Sequence, residues 1–336
     1  MADFNGKRER KTMLTETLTQ PAGLAEVTLN FRAMNTAIEL LIYAVAGQVD
    51  RAVATSHQIE QLFAGTEAAL SRFRPESELS QLNRQGYLEN ASTVLYENVA
   101  SACQMRELTG GVFDPAILDA LEAAGYDRSF ELLGKGAPRL FTPRQDQSLA
   151  VWRNPASPQV ELDPSKGSIR LAPGVRLDLG GIAKGSTVDA AAKLLSEAGF
   201  NSFMISAGGD MYLRGCPPQN SQGWQVGVAN EAPGCGGDIA QLLVSDKAVA
   251  TSATTGRRWS VGHQVRHHLI DPRTRQPADN DLAAVTVVAT TVQMADVMAK
   301  TALILGPAET AHTNLKQKAE LETILFVTLD GQLIEL

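Results

Sequence analysis

Apolar residues return every three or four positions along 49–73, at Val53, Ile59, Leu62, Phe63, Ala69, Leu70 and Phe73. That spacing predicts an amphipathic helix with one buried face. Pro75 ends it, and Ser77 is placed to cap a short turn. A second helix is predicted over 92–108, stopping at Gly110-Gly111, where the chain turns without a Cβ penalty. In "FDPAILDALEAAGYD" (113–127), Asp114 reads as a helix cap with Pro115 at the first helical position, where proline loses no hydrogen bond. "FRAMNTAIELLIYA" (31–44), rich in β-branched and apolar residues, predicts an early strand. The stretch 128–174, rich in Pro, Gly and charge, predicts loops and short strands.

The pattern sharpens in the second half. A strand near 175–179 leads into "LDLGGIAKGSTVD" (177–189), then a helix over 184–198 that Gly199 stops. "NSFMISAGGD" (201–210) reads as a buried strand ending in a glycine turn. Strands are predicted near 224–229, 240–245, 265–270 and 282–289. A helix over 291–306 is capped by Thr291, and a terminal hairpin turns at Asp330-Gly331. Helices and strands mix without strict βαβ alternation, so the fold class is α+β or mixed α/β.

Composition narrows the function. The chain has 336 residues, is 44% hydrophobic and carries a formal charge of −7. That length and apolar content build a sizeable core, and the absence of a basic stripe argues against nucleic acid as a partner. The run "GKRER" (6–10) reads as part of a solvated N-terminal tail over 1–25, leaving 26–336 as one domain. No stretch has the roughly 18–20 consecutive apolar residues of a membrane helix. The N-terminus carries neither the apolar run of a signal peptide nor a lipobox, so a cytoplasmic location is expected. Cys103, Cys216 and Cys235 lack the spacing of a zinc site or disulfide framework.

Several stretches can carry chemistry. In "LDLGGIAKGSTVD", Gly180 and Gly181 allow a ligand close to the backbone, and the following helix offers free N–H groups to an anion, with Lys184 adding a charge. The stretch fits neither the dinucleotide nor the P-loop fingerprint, and by itself it reads equally as a tight turn with a surface lysine. "SAGGD" supplies a second glycine turn ending in Asp210. "AVATSATTGRRW" (248–259) sets hydroxyls, Ser252 among them, before Arg257 and Arg258. In "HHLIDPRTRQP" (267–277), His267 and His268 point to opposite sides of an extended segment, and the one that faces a cleft, with Asp271 close by, reads either as a general base of near-neutral pKa or as a structural histidine. In "MADVMAKTA" (294–302), Asp296 and Lys300 lie one helical turn apart, either as an ion pair or with Asp296 as an oxygen ligand for a hard cation.

In order along the chain, "FRAMNT", "SRFRPESELSQLN", "TGGVFDPAI", "LDLGGIAKGSTVD", "SAGGDMYLRG", "ATSA", "HLIDPRT" and "ADVMAKTALILG" resemble the motifs of the ApbE-like FAD:protein FMN transferases, over roughly residues 31–306. The resemblance implies a two-lobed fold with mixed sheets and FAD in the cleft between the lobes. It implies transfer of FMN from FAD to a Thr or Ser hydroxyl of an acceptor flavoprotein, with release of AMP and a divalent metal, Mg²⁺, at the pyrophosphate. Hydrolysis of FAD to FMN and AMP, or FAD carriage without catalysis, are the alternatives. By motif, Met34, Phe73, Val112, Phe113, Asp114, Gly181, Lys184 and Ser252 would bind FAD. His268 would be the base, with Asp271 its neighbour. The carbonyl of Ala183, the carboxylate of Asp296 and a threonine hydroxyl, for which Thr301 is the candidate, would bind metal. The chain departs from the family pattern at Asn35 and Ala253 (both usually Gly), Ser186 (usually Tyr) and Arg275 (usually Gly). The largest departure is Lys300, which stands in register with the usual threonine ligand.

Overall fold

The computed structural model describes residues 13–18, 23–133, 159–261 and 264–336; the basic run at 6–10 and the loops expected over 134–158 lie outside them. The N-terminal part holds strands β1 (Met13–Leu18), β2 (Leu24–Ala33) and β3 (Thr36–Val45), then helices α1 (Val49–Leu70), α2 (Glu78–Gln85), α3 (Thr93–Leu108) and α4 (Leu118–Ala123). Short strands β4 (Tyr87–Leu88), β5 (Val160–Asp163) and β6 (Ser168–Leu171) form a small sheet. Helix α5 (Ala183–Glu197) precedes β7 (Phe203–Ala207), β8 (Asp210–Arg214), β9 (Trp224–Ala229), β10 (Asp238–Val244) and β11 (Lys247–Ala253). Then come β12 (Arg258–Val261), β13 (Gln264–His267), β14 (Ile270–Asp271), β15 (Gln276–Pro277) and β16 (Leu282–Ala289). Helices α6 (Val292–His312) and α7 (Leu315–Lys318) and strands β17 (Thr323–Thr328) and β18 (Leu333–Glu335) complete the chain.

Nine strands make the central sheet, in the order β1-β2-β3-β7-β8-β11-β16-β17-β18. Its neighbouring pairs are antiparallel, as are those of the smaller sheets, so the architecture is α+β. Strand alternation assigns the two faces. Ile38, Leu40 and Ile42 of β3 join Ala248 and Ala250 of β11 in the main core with α1, α5 and α6. Tyr43 and Val249 point the other way, against Trp224 and Val226 of the β9–β10 hairpin. Strand β16 is covered on both faces, and every one of its residues is buried, which is why "LAAVTVVA" is apolar without alternation.

Most local signals act as the sequence predicts. Ser77 accepts the Ser80 N–H and Thr291 accepts the Met294 N–H as helix caps. Gly110, Gly111 and Gly199 all adopt positive φ just beyond helix ends. Five expectations change. The strand over 31–44 is a hairpin, β2–β3, turning through Met34 and Asn35 with φ of 50° and 65°; two left-handed residues are what a type I′ two-residue hairpin requires. The helix expected over 113–127 is confined to α4, and Asp114 does not cap it: Arg106 Nε donates to its Oδ2 at 3.0 Å, and its Oδ1 accepts the Ala116 N–H at 2.8 Å. The segment near 175–179 pairs with no strand among the described residues; the Asn83 amide satisfies both Leu177 backbone groups, at 2.7 and 2.8 Å. The strand over 265–270 divides into β13 and β14 at His268 and Leu269. Finally, Met13–Leu18, inside the stretch expected as tail, pairs with β2 as the sheet's edge.

Candidate active site

A cavity of about 680 Å³ opens above the C-terminal end of the Leu177–Gly181 segment, lined by that turn, α1, α5, α6 and β11. Its floor is the glycine turn. Asp178 Oδ1 accepts the Gly180 N–H at 2.9 Å, while Arg72 Nε lies 2.5 Å from Asp178 Oδ2. The Arg72 side chain is itself buried, its guanidinium 4.1 Å from the Phe73 ring centre and 4.7 Å from that of Tyr126. A Cβ on Gly181 would lie 3.3 Å from the Phe113 ring and 3.4 Å from Lys300 Cε, so the bare backbone leaves room for both. Helix α5 then starts at Ala183 with no side-chain cap, directing its positive end towards the cavity floor.

Four charges meet at this floor. Lys184 of α5 pairs with Asp210 at the start of β8, and its Nζ lies 3.4 Å from Asp296 Oδ2. Lys300 Nζ pairs with Asp296 Oδ1 and lies 3.3 Å from the Asp296 carbonyl. Burial disfavours every one of these ions, and pairing decides the balance. Lys184 is held above the ordinary lysine value because Asp210 and Asp296 outweigh its burial. Asp296 is held below the ordinary carboxylate value because Lys184 and Lys300 outweigh its burial. Burial wins at Lys300, which is lowered despite Asp296, and at Asp210, which is raised despite Lys184.

Two contacts fix the helices that carry these groups. Asp189 of α5 accepts the Val292 and Gln293 N–H groups of α6, at 2.7 and 2.9 Å. At Gly185, any Cβ would sit 2.6 Å from Gln293 Cα, so the helices touch backbone to backbone.

His268 also lines the cavity, as do Ser252 and Arg257. Its Nδ1 is buried without a hydrogen-bond partner. Burial, then Arg257 and Lys300, push its pKa well below the ordinary imidazole value, leaving a neutral ring able to accept a proton. The neighbouring His267 is structural: its Nε2 meets the Ala278 carbonyl at 3.0 Å and its Nδ1 accepts the Leu269 N–H.

The cavity brings together Met34, Phe73, Val112, Phe113, Asp114, Gly181, Ala183, Lys184, Ser252, His268 and Asp296 from the expected set. Asp114 contributes its position only, since Arg106 and the Ala116 N–H occupy its carboxylate. Asp271 is not among the lining residues; Arg273 grips both its oxygens at 2.9–3.1 Å, and no bond joins it to His268. Adjacency in sequence brought it near, but the Asp271–Arg275 turn aims it elsewhere. Thr301 is fully buried outside the cavity, its hydroxyl donated to the Val297 carbonyl at 2.9 Å. Ser186, where an aromatic residue was expected, bonds the Asn98 side chain at 2.7 Å. Sequence reading missed Arg72 and Tyr126 as lining residues, and named Arg257 without giving it a role. Arg72 adjoins Phe73 in "SRFRP", but its second aromatic neighbour, Tyr126, comes only from the fold.

The donor set does not suit a divalent cation. Both Asp296 oxygens are engaged by ammonium groups, Thr301 faces away, and the Ala183 carbonyl already accepts the Ser186 and Thr187 hydroxyls. Among the described residues no group of three His, Cys, Asp or Glu side chains is placed to hold a metal ion. Mg²⁺ requires near-octahedral oxygen ligation, which this arrangement does not offer.

The fold and floor define an antiparallel α+β protein with a cleft floored by a glycine turn and two paired lysines. The chain belongs to the ApbE family, whose pattern it matches over residues 34–325. It is similar to the FAD:protein FMN transferase of Haemophilus influenzae, 25% identical over 82% of this chain and 79% of that protein. The FAD:protein FMN transferase of Treponema pallidum is 29% identical over 75% of this chain and 72% of its own. The crystal structure of the ApbE protein from Thermotoga maritima superimposes with a TM-score of 0.76 at 22% identity, covering 92% of this chain and 96% of that one. The flavin transferase ApbE from Vibrio cholerae gives 0.74, also at 22% identity, over 93% and 97%. These two likenesses bear on the fold.

Proposed function

We propose that the protein transfers FMN from FAD to a Thr or Ser hydroxyl of an acceptor flavoprotein, releasing AMP. One observation carries this reading: His268, its buried Nδ1 without a hydrogen-bond partner, lines the same cavity as a glycine turn, Lys184 at the following helix start and Lys300. The pyrophosphate of FAD would lie against the bare backbone at Gly181, since Asp178 holds the Gly180 N–H, with Lys184 and Arg257 balancing its charge. Met34, Phe73, Val112 and Phe113 offer apolar surface for the flavin. His268 would take the proton of the acceptor hydroxyl as its oxygen bonds to the flavin-side phosphorus. The bond from that phosphorus to the AMP oxygen breaks, and AMP leaves with the electron pair. Asp271 has no part in this scheme. No step is assigned to Mg²⁺, since the donors present do not suit it.

The likeness to named FAD:protein FMN transferases supports the substrate. The test is incubation with FAD and candidate acceptor proteins, followed by mass spectrometry of the acceptor and chromatography of nucleotides. The expected result is FMN added to a Thr or Ser with matching AMP. AMP with free FMN and no adduct would replace this reading by FAD hydrolysis, and FAD persisting intact would replace it by carriage.

A further inference from the structure

We infer that Lys300 is a built-in substitute for the divalent cation, so that the cleft binds the pyrophosphate of a dinucleotide without metal. This rests on the reading of the cleft as an FAD site.

Three observations converge on it. First, position: the Lys300 stem passes 3.4–3.5 Å from where a Gly181 Cβ would stand, so its amino group is delivered beside the glycine turn. Second, anchoring: the ammonium is held from behind by Asp296, through Oδ1 and at 3.3 Å through the main-chain carbonyl. An ammonium has three N–H donors. With two directed to Asp296, the third is left for an oxygen in the cavity that Lys300 lines. Third, exclusion: Asp296 spends its other oxygen on Lys184, leaving no free carboxylate face for a cation. A dication there would also confront both lysines and, behind them, Arg257, whose charge reaches Lys184.

The substitution preserves the task while changing its chemistry. A metal must be captured and partly dehydrated for each complex, whereas the lysine is covalently present and already oriented. Lysine acts as a compact point charge with rotatable donors, which suits a phosphate oxygen approaching from several directions. The expected consequence is FAD affinity indifferent to free Mg²⁺.

The test is a titration of the whole protein with FAD, followed by flavin fluorescence, in EDTA and in excess Mg²⁺. The expected dissociation constants agree within about twofold, since no cation takes part. Affinity at least about tenfold tighter with Mg²⁺ overturns the inference and leaves the FAD reading standing. Absence of FAD binding in both buffers overturns both. A Lys300→Thr variant, checked for folding by its melting curve, is expected to bind FAD at least about tenfold more weakly in EDTA, the cost of one charge-assisted hydrogen bond. Mg²⁺ should restore part of that loss, and Mn²⁺ added with FAD should give a broadened paramagnetic resonance signal absent from the wild type. Unchanged affinity of the folded variant in EDTA, or immobilised Mn²⁺ in the wild type, also overturns the inference. Should the variant fail to fold, the wild-type titration and Mn²⁺ signal decide.

Discussion

Asp189 on α5 caps α6, its two oxygens 2.7 and 2.9 Å from the Val292 and Gln293 N–H groups. The helix bearing Lys184 is thereby joined to the helix bearing Asp296 and Lys300. Burial outweighs those two bonds and pushes the Asp189 carboxyl up to about 6 from its ordinary 3.8. The folded state therefore binds this proton more tightly than the unfolded chain. The resulting stabilisation is complete below 3.8 and is lost as pH rises through 6. At 1.36 kcal/mol per unit the contribution is about 3 kcal/mol. Urea unfolding of wild type and Asp189→Asn should thus diverge by about that amount between pH 4 and 7, the wild type losing more. Parallel stability curves over this range would show that Asp189 does not titrate there.

Gly185 marks the closest approach of the same two helices. A methyl group there would meet Gln293 Cα at 2.6 Å and Gln293 N at 2.7 Å, and neither backbone atom can swing aside. Gly185→Ala should destabilise the protein by about 2–3 kcal/mol, even though alanine favours helix, because α5 and α6 must separate. A melting temperature equal to or above that of the wild type contradicts this.

Arg72 and Asp178 form the buried pair beneath the glycine turn, 2.5 Å apart with side-chain exposures of 6% and 12%. Arg72→Met keeps the stem between Phe73 and Tyr126 but strands the Asp178 carboxylate. The expected loss is about 3 kcal/mol, since an uncompensated buried charge costs more than the pair contributes. Adding Asp178→Asn should recover part of it while keeping an acceptor for the Gly180 N–H. A double variant no more stable than Arg72→Met argues against this account.

His268→Ala should lower turnover by about 10²–10⁴-fold with little change in FAD affinity, as for loss of a general base. The pH profile is the sharper reading. Burial and nearby cations hold the His268 pKa well below 6.5, so kcat/KM should stay level through neutral pH and fall only on the acid side of 6.5. An acid limb with its midpoint at or above 6.5 would assign the proton transfer elsewhere.

What the sequence revealed follows the range of each interaction. The caps at Ser77 and Thr291 and the helix stops at Gly110 and Gly199 depend on residues within a turn of one another, and local pattern predicted them. Asp114 had the local form of a cap, but Arg106 on the preceding helix claimed its carboxylate. Asp271 is close to His268 in sequence, yet its turn commits it to Arg273. The Arg72–Asp178 pair joins residues far apart along the chain, so no local spacing announces it. Lys300 was visible as a departure from a family pattern, but its engagement with Asp296 and its passage beside Gly181 required the fold.

The four-charge floor has a consequence for how a ligand arrives. Two ammonium groups and two carboxylates cancel, and the sum is unchanged if a proton moves from Lys300 to Asp210. The floor therefore projects little long-range field, on a chain whose overall charge of −7 opposes anions. In the proposed reaction these four charges would not draw a pyrophosphate in from a distance; it would be recognised on contact, once its oxygens reach Lys184, Lys300 and Arg257. Encounter with such a site should be governed by diffusion and the shape of the opening, with only a shallow dependence on ionic strength.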